Sequence, residues 1–212
     1  MAVDQYGGRG QKGAVWQSEP GKNLTFSLLL TPTFLDPKRQ FVLTAAISLA
    51  VARWLETLTQ TAIAIKWPND IYVGDRKIGG ILIENILKGK TWKSAVVGIG
   101  INVNQTVFPH DIQERTTSVK QILHRDCQVP ELLTDLCKHI EQAYHALKAE
   151  HFDAVLADYE QRLYRRNELH PYLVDGINVS GVLRGVSETG RLRIDFNGHY
   201  VDFDIKELAF VI

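Results

Sequence analysis

Cysteine is scarce in this sequence and net charge is absent. The 212 residues include only two cysteines, Cys127 and Cys137, and 24 Lys+Arg balance 24 Asp+Glu. Two thiols in or beside an expected helix cannot staple a mini-protein, and in a reducing compartment they are read as unpaired. Zero formal charge removes the long-range field that draws nucleic acid or anionic lipid regardless of sequence. Neither is therefore expected as a partner, and any cationic function must be concentrated locally. The sequence has no run of about 18 apolar residues of the kind that spans a bilayer. Its start, Met1-Ala2-Val3-Asp4-Gln5, lacks a basic leader and an apolar core, so a cytoplasmic chain is expected. The histidines at 110, 124, 139, 145, 151, 170 and 199 fall in no metal-ligating spacing, and no Ser-His-Asp or Cys-His nucleophile pattern can be defended.

What is present is a core-forming sequence, 45% hydrophobic and 23% charged, whose periodicity changes twice. Leu24 to Leu30 reads as a buried strand between Pro20-Gly21 and Pro32. Phe41, Ala45, Leu49, Ala52 and Leu55 recur at helical spacing and predict one long helix over 37–58. Four apolar stretches follow, Ala62 to Ile65, Ile71 to Val73, Ile78 to Ile86 and Trp92 to Val103. The short turns between them, one at Lys88-Gly89-Lys90, predict an antiparallel meander. Pro130 opens a helix with the stripe Leu133, Leu136, Ile140, Ala143, Tyr144 and Leu147, and a shorter helix is expected over 152–163. Beyond Arg166 come short strands broken by Asp175-Gly176, Glu188-Thr189-Gly190 and Asn197-Gly198. The expected organisation is an α+β domain over residues 1–166, a mixed or antiparallel sheet packed with helices, then a small SH3-like β-barrel over 167–212.

Three clusters carry the chemistry. Gly8-Arg9-Gly10-Gln11-Lys12-Gly13 matches G-x-G-x-x-G in letter only, because no full strand precedes it and Pro20-Gly21 stops any helix after it. The match leaves either a solvated surface loop or a flexible cationic loop that sets Arg9 and Lys12 among backbone N–H groups and closes over an anion. Lys66-Trp67-Pro68-Asn69-Asp70 and Lys77-Ile78-Gly79-Gly80-Ile81-Leu82 should bring Lys66 and Lys77 close on neighbouring strands. Lys66 sits in an apolar run, so a surface role competes with that of a partly buried cation facing an anion. Glycines weaken a strand unless something approaches its backbone, and the same reasoning applies to Gly98 and Gly100 before Asn102.

In order and spacing across residues 4–104, these clusters resemble the biotin protein ligase family. The loop from Asp4-Gln5 to Trp16 is similar to its glycine-arginine adenylate loop, Lys66 to Asp70 to its KWPND segment, Lys77 to Leu82 to its K-x-x-G-I-L segment, and Gly98 to Asn102 to its G-x-G-x-N strand. The resemblance implies a catalytic domain like that of class II aminoacyl-tRNA synthetases. It also implies ATP-dependent formation of biotinyl-5'-AMP and transfer of biotin to a lysine of a biotin carboxyl carrier protein domain. Under it, Gln5, Gly8, Arg9, Gly10, Gln11, Lys77 and Gly80 line the biotin pocket. Lys66 holds phosphate, Trp16 and Asn102 border the adenylate, and Asn69 and Asp70 bound the nucleotide and Mg²⁺, with Asp70 as the metal contact. Arg9, Lys66 and Lys77 would neutralise the charge that develops when a carboxylate meets an α-phosphate. A homodimer is compatible with the resemblance.

Two positions depart from the family's pattern. Gln11 stands where an arginine is common, and Ala14 where a third basic residue is frequent. The family's first strand and helix, with a Ser-Thr-Asn-like segment that holds the ureido ring, are also expected to be missing, as is an N-terminal helix-turn-helix. Two other readings compete: a module that binds biotin or its adenylate without turnover, and a lipoate or octanoate transferase relative.

Overall fold

The computed structural model describes residues 1–89 and 91–211, without the side chain of Lys12; Lys90 of the expected turn and the terminal Ile212 lie outside the described residues. It is an α+β fold built on two antiparallel sheets. The first contains β1 (Leu24–Leu30), β2 (Ala64–Lys66), β3 (Asp70–Val73), β4 (Arg76–Lys88) and β5 (Thr91–Ile101), in the order β1-β5-β4-β3-β2. The expected meander accounts for β2 to β5, and β1 joins it by pairing with β5 from Leu24↔Ile101 to Leu30↔Ala95.

Helix α1 (Gln40–Thr59) follows a single 3-10 turn over Pro37–Arg39, where the Asp36 carboxylate accepts from the backbone N–H of Lys38 at 2.8 Å. The expected helix therefore starts three residues late, behind a capped proline turn. Fourteen of its 20 residues are buried, because α3 (Val129–Lys148) and α4 (Phe152–Gln161) cover the flank that the sheet does not. By length and composition α1 could cross a membrane, but 72% of its apolar window is buried inside the fold. A short helix α2 (Val119–Leu123), capped by the Ser118 hydroxyl, was not expected from periodicity because one turn is too brief to show any.

The second sheet holds β6 (Leu169–Val174), β7 (Ile177–Val186), β8 (Leu192–Phe196), β9 (His199–Phe203) and β10 (Leu208–Phe210), ordered β10-β6-β7-β8-β9. It docks on the first unit through specific contacts. The Trp67 indole N–H donates to the Gly190 carbonyl at 2.8 Å, and the Val186 N–H donates to Glu160 at 2.9 Å. Gly190, at φ +85°, presses so closely on Phe41 that a Cβ would lie 2.0 Å from its ring. Buried side chains of both sheets, Ile65 and Ile101 with Leu183 and Ile194, form one continuous core.

Candidate active site

The register of the first sheet builds the site. Side chains alternate faces along each strand, so residues paired across strands share a face. One rung runs Lys66↔Asp70↔Gly80↔Gly100↔Thr25, and the next one over runs Leu82↔Gly98↔Ser27. Ile81, Ile99 and Phe26 point the other way, into the core. Lys77 joins the polar face through a β-bulge. Ile71 pairs with Gly79 but Tyr72 pairs with Lys77, which leaves Ile78 as the extra residue. In an unbulged strand Lys77 would share the core face with Gly79; the bulge re-aims it beside Gly80.

The glycines are explained mostly by the chain's own side chains. A Cβ on Gly79 would lie 2.5 Å from Ile101 Cδ1, so this glycine serves core packing and not the approach of a ligand. On Gly80 a Cβ would crowd the Asp70 carboxylate at 3.3 Å and Lys77 Nζ at 3.4 Å. Gly100 lies beneath the Trp16 indole, where a Cβ would come 2.6 Å from Cε2.

Two clefts meet at Trp16, Val15 and Lys77. The first, about 630 Å³, is lined among others by Gln5, Arg9, Gly10, Gln11, Asn69, Asp70 and Gly80. The second, about 470 Å³, is lined by Lys66, Tyr72, Asn102, Phe108, Arg115 and Phe210 among others. Lys77 Nζ lies 2.6 Å from Asp70 Oδ1, so the ammonium is held at the junction by a half-buried carboxylate. Its backbone is pinned as well, since the Thr117 N–H donates to the Lys77 carbonyl at 2.9 Å.

Lys66 is the strained cation. Burial lowers its pKa below that of an ordinary lysine; the charge of Asp70 opposes this, and Lys77 and Arg115 add to it. A cation that pays for burial with a lowered pKa is a candidate anion-binding group. Burial, with Asp70 second, also raises the pKa of Tyr72, which therefore stays a neutral phenol.

The glycine loop differs from the expectation. It is a small hairpin in which Gly10 N–H donates to the Ala14 carbonyl at 2.7 Å and Trp16 N–H to the Gly8 carbonyl at 3.0 Å. Those two N–H groups are engaged within the hairpin and are not offered to an anion. The Arg9 guanidinium pairs with Glu84 at 3.2 Å, with both groups exposed. Gly8 is no wall residue of either cleft, because a Cβ there would strike the Trp16 carbonyl at 2.3 Å. Asn69 and Asn102, both 3% exposed, spend their amide N–H groups on backbone carbonyls, of Ile81 and of Thr117 (3.0 Å) respectively. Each thus braces a strand end as well as bordering a cleft.

Two buried polar atoms at the clefts, Gln5 Oε1 and Trp16 Nε1, have no hydrogen-bond partner among the described residues. Unsatisfied buried groups are costly, and both of these belong to residues that line the first cleft. Arg115, Phe108 and Phe210 belong to the second cleft although nothing in the sequence singled them out. They sit in irregular segments or in a three-residue strand, where no period exists to read.

Comparison with known proteins agrees with this geometry. Residues 1–102 match the Biotin/lipoate A/B protein ligase family. The chain is 38% identical over 124 residues to the bifunctional ligase/repressor BirA of Bacillus subtilis, covering 57% of this chain and 38% of that one. It is 28% identical over 200 residues to BirA of Escherichia coli, covering 93% of this chain and 61% of that one. The chain thus spans less than two thirds of these curated relatives. A solved structure, the biotin protein ligase of Aquifex aeolicus in complex with biotin and ATP, superposes with a TM-score of 0.83 at 31% identity, covering 98% of this chain and 86% of that one. With the Lys66 to Asp70 segment, the bulged Lys77 strand and the glycine rung all in place, the chain belongs to the biotin protein ligase family.

Proposed function

We propose that the protein activates biotin with ATP to biotinyl-5'-AMP and passes the biotinyl group to a lysine of a biotin carboxyl carrier protein domain. The observation that carries this reading is the junction at Lys77, which among the described residues is the one cation lining both clefts. A carboxylate entering from the first cleft and an α-phosphate entering from the second would meet at its ammonium. A biotin carboxylate oxygen then bonds to the α-phosphorus while the bond to the β-phosphate oxygen breaks and pyrophosphate leaves. Afterwards the carrier lysine's amine attacks the acyl carbon and AMP departs with its oxygen. Both steps join anions or develop negative charge, so preorganised cations suffice and no covalent enzyme intermediate is required.

The first cleft suits biotin: Gln5 offers its unpaired Oε1, and Gly80 keeps the floor open beside Gly10 and Gln11. The second suits the nucleotide, with Trp16 and Phe108 as flat apolar surfaces for a purine, Arg115 at its rim and Lys66 for phosphate. The relative from Aquifex aeolicus was solved with both biotin and ATP, which supports this division. Arg9 would exchange Glu84 for the adenylate phosphate. Among the described residues no three His, Cys, Asp or Glu side chains converge. Asp70 nonetheless fits a Mg²⁺ ion, which needs only one or two carboxylates when phosphates and water complete its shell, and whose charge would offset that of pyrophosphate. Asn69 would border the same phosphates.

In the same reading the second sheet forms the SH3-like barrel, residues 1–166 and 167–212 are the two domains, and the protein works in the cytoplasm, where ATP is made available to it. The test is biotin-dependent exchange of labelled pyrophosphate into ATP. Exchange with biotin supports the reading. Exchange only with lipoate or octanoate moves the chain to the other branch of its family, and tight biotin binding without exchange makes it a holding module.

A further inference from the structure

Lys66 lies between two aromatic side chains, at the hydroxyl edge of Tyr72 and beside the ring of Phe210. Its Nζ lies 5.3 Å from the ring centre of Tyr72 and 5.1 Å from that of Phe210, and it reaches the Tyr72 hydroxyl at 3.4 Å. Among the described residues Lys66 makes no ion pair, whereas Lys77, one rung over, has Asp70. The Tyr72 ring comes from the neighbouring strand; Phe210 comes from β10, at the far end of the sequence. Its ring is fixed in turn, edge-on to the fully buried Tyr172 at 5.3 Å, with Tyr164 at 6.2 Å and His170 at 6.4 Å.

We infer that Phe210 is a positioning residue for nucleotide binding: with Tyr72 it brackets the Lys66 ammonium and aims it into the second cleft, so that the second sheet completes the phosphate site. This deepens the proposed function and rests on it for the identity of the ligand. A lysine has four side-chain torsions to fix, and an ammonium buried without a carboxylate would otherwise turn toward water. The Phe210 ring and the Tyr72 hydroxyl attract the cation without neutralising it, which leaves its charge free for phosphate. Burial of Lys66, which lowers its pKa, agrees with an ammonium withdrawn from solvent.

The placement is tested without turnover. On the full chain with its lysine amines ¹³C-dimethylated, the Lys66 resonance, identified by its loss in Lys66→Arg, should lie upfield of the other lysines. It should return toward them in Phe210→Leu but not in Phe210→Tyr. A Lys66 resonance among the others in the unsubstituted chain, or one that Phe210→Leu leaves in place, overturns the inference. Phe210→Met, which keeps apolar volume without a ring, serves if Phe210→Leu does not fold. The functional arm uses a non-hydrolysable ATP analogue in calorimetry. Phe210→Leu should weaken its binding about 3–30-fold when Lys66 is present and by less than about 2-fold in a Lys66→Met background. Equal weakening in both backgrounds contradicts positioning through Lys66. If the unsubstituted chain binds no analogue, the nucleotide reading fails, while the resonance still decides whether Phe210 brackets Lys66.

Discussion

Lys77 is placed for chemistry by one extra residue and one carboxylate. The bulge at Ile78 turns it out of the core, and Asp70 at 2.6 Å holds its ammonium where the clefts join. Replacing Lys77 with Ala removes a preorganised donor and should slow adenylate formation by about 10²–10³ in pyrophosphate exchange; an unchanged rate would remove Lys77 from the mechanism. Lys66 gives a pH signature. Its pKa lies below 10.5, chiefly through burial, so its charge is lost at lower pH than that of a surface lysine. Affinity for the ATP analogue should therefore decline as pH rises from neutrality toward 10.5, and Lys66→Arg, which keeps its charge, should flatten that decline. The same alkaline decline in both proteins would show that another group titrates. Lys66 was legible in the sequence as a cation in an apolar run and Lys77 as one before a glycine pair, but the bulge was not, since Lys77-Ile78-Gly79-Gly80 reads equally well as an unbroken strand. The two adjacent glycines looked alike as letters. Only the register shows that Gly79 makes room for Ile101 inside the core while Gly80 makes room for the site.

The strands and helices were largely legible, because an apolar period survives wherever one face is buried; the segments that complete the site were not. Arg115 ends a single 3-10 turn and Phe210 ends a three-residue strand, and tertiary packing alone brings them to the second cleft. The loop from Tyr6 to Ala14 stands between these cases. Its glycines announced a loop, whereas its internal hairpin and its Arg9–Glu84 pair emerge only in three dimensions. An exposed ion pair is worth at most about 1 kcal/mol, so the loop's hold on the sheet is weak and ligand should strengthen it. Amide exchange over residues 6–14 should slow when a non-hydrolysable biotinyl-adenylate is added. Equal exchange with and without it would contradict closure. Between the sheets, Trp67→Phe deletes the donor to the Gly190 carbonyl and leaves a buried acceptor unpaired. It should cost about 1–3 kcal/mol in denaturant unfolding, and an unchanged midpoint would mean that this contact does not hold the second sheet in place.

For the molecule as a whole, zero net charge leaves no general field for anions, so the attraction must come from the cations that line the clefts. Arg9, Lys66, Lys77 and Arg115 line two joined clefts; of the acidic residues there, Asp70 pairs with Lys77 and Glu84 with Arg9, and Asp111 lines the second cleft beside Arg115. That arrangement suits a reaction that brings two anions together, and its central claim is that the carboxylate itself attacks the α-phosphate. The claim can be followed with biotin carrying ¹⁸O in its carboxylate, ATP, Mg²⁺ and a biotin carboxyl carrier protein domain, with the released AMP analysed by mass. Attack on the α-phosphorus leaves one labelled oxygen in AMP for each lysine biotinylated. Unlabelled AMP, or a carrier that stays unmodified while ATP is consumed, would contradict the account.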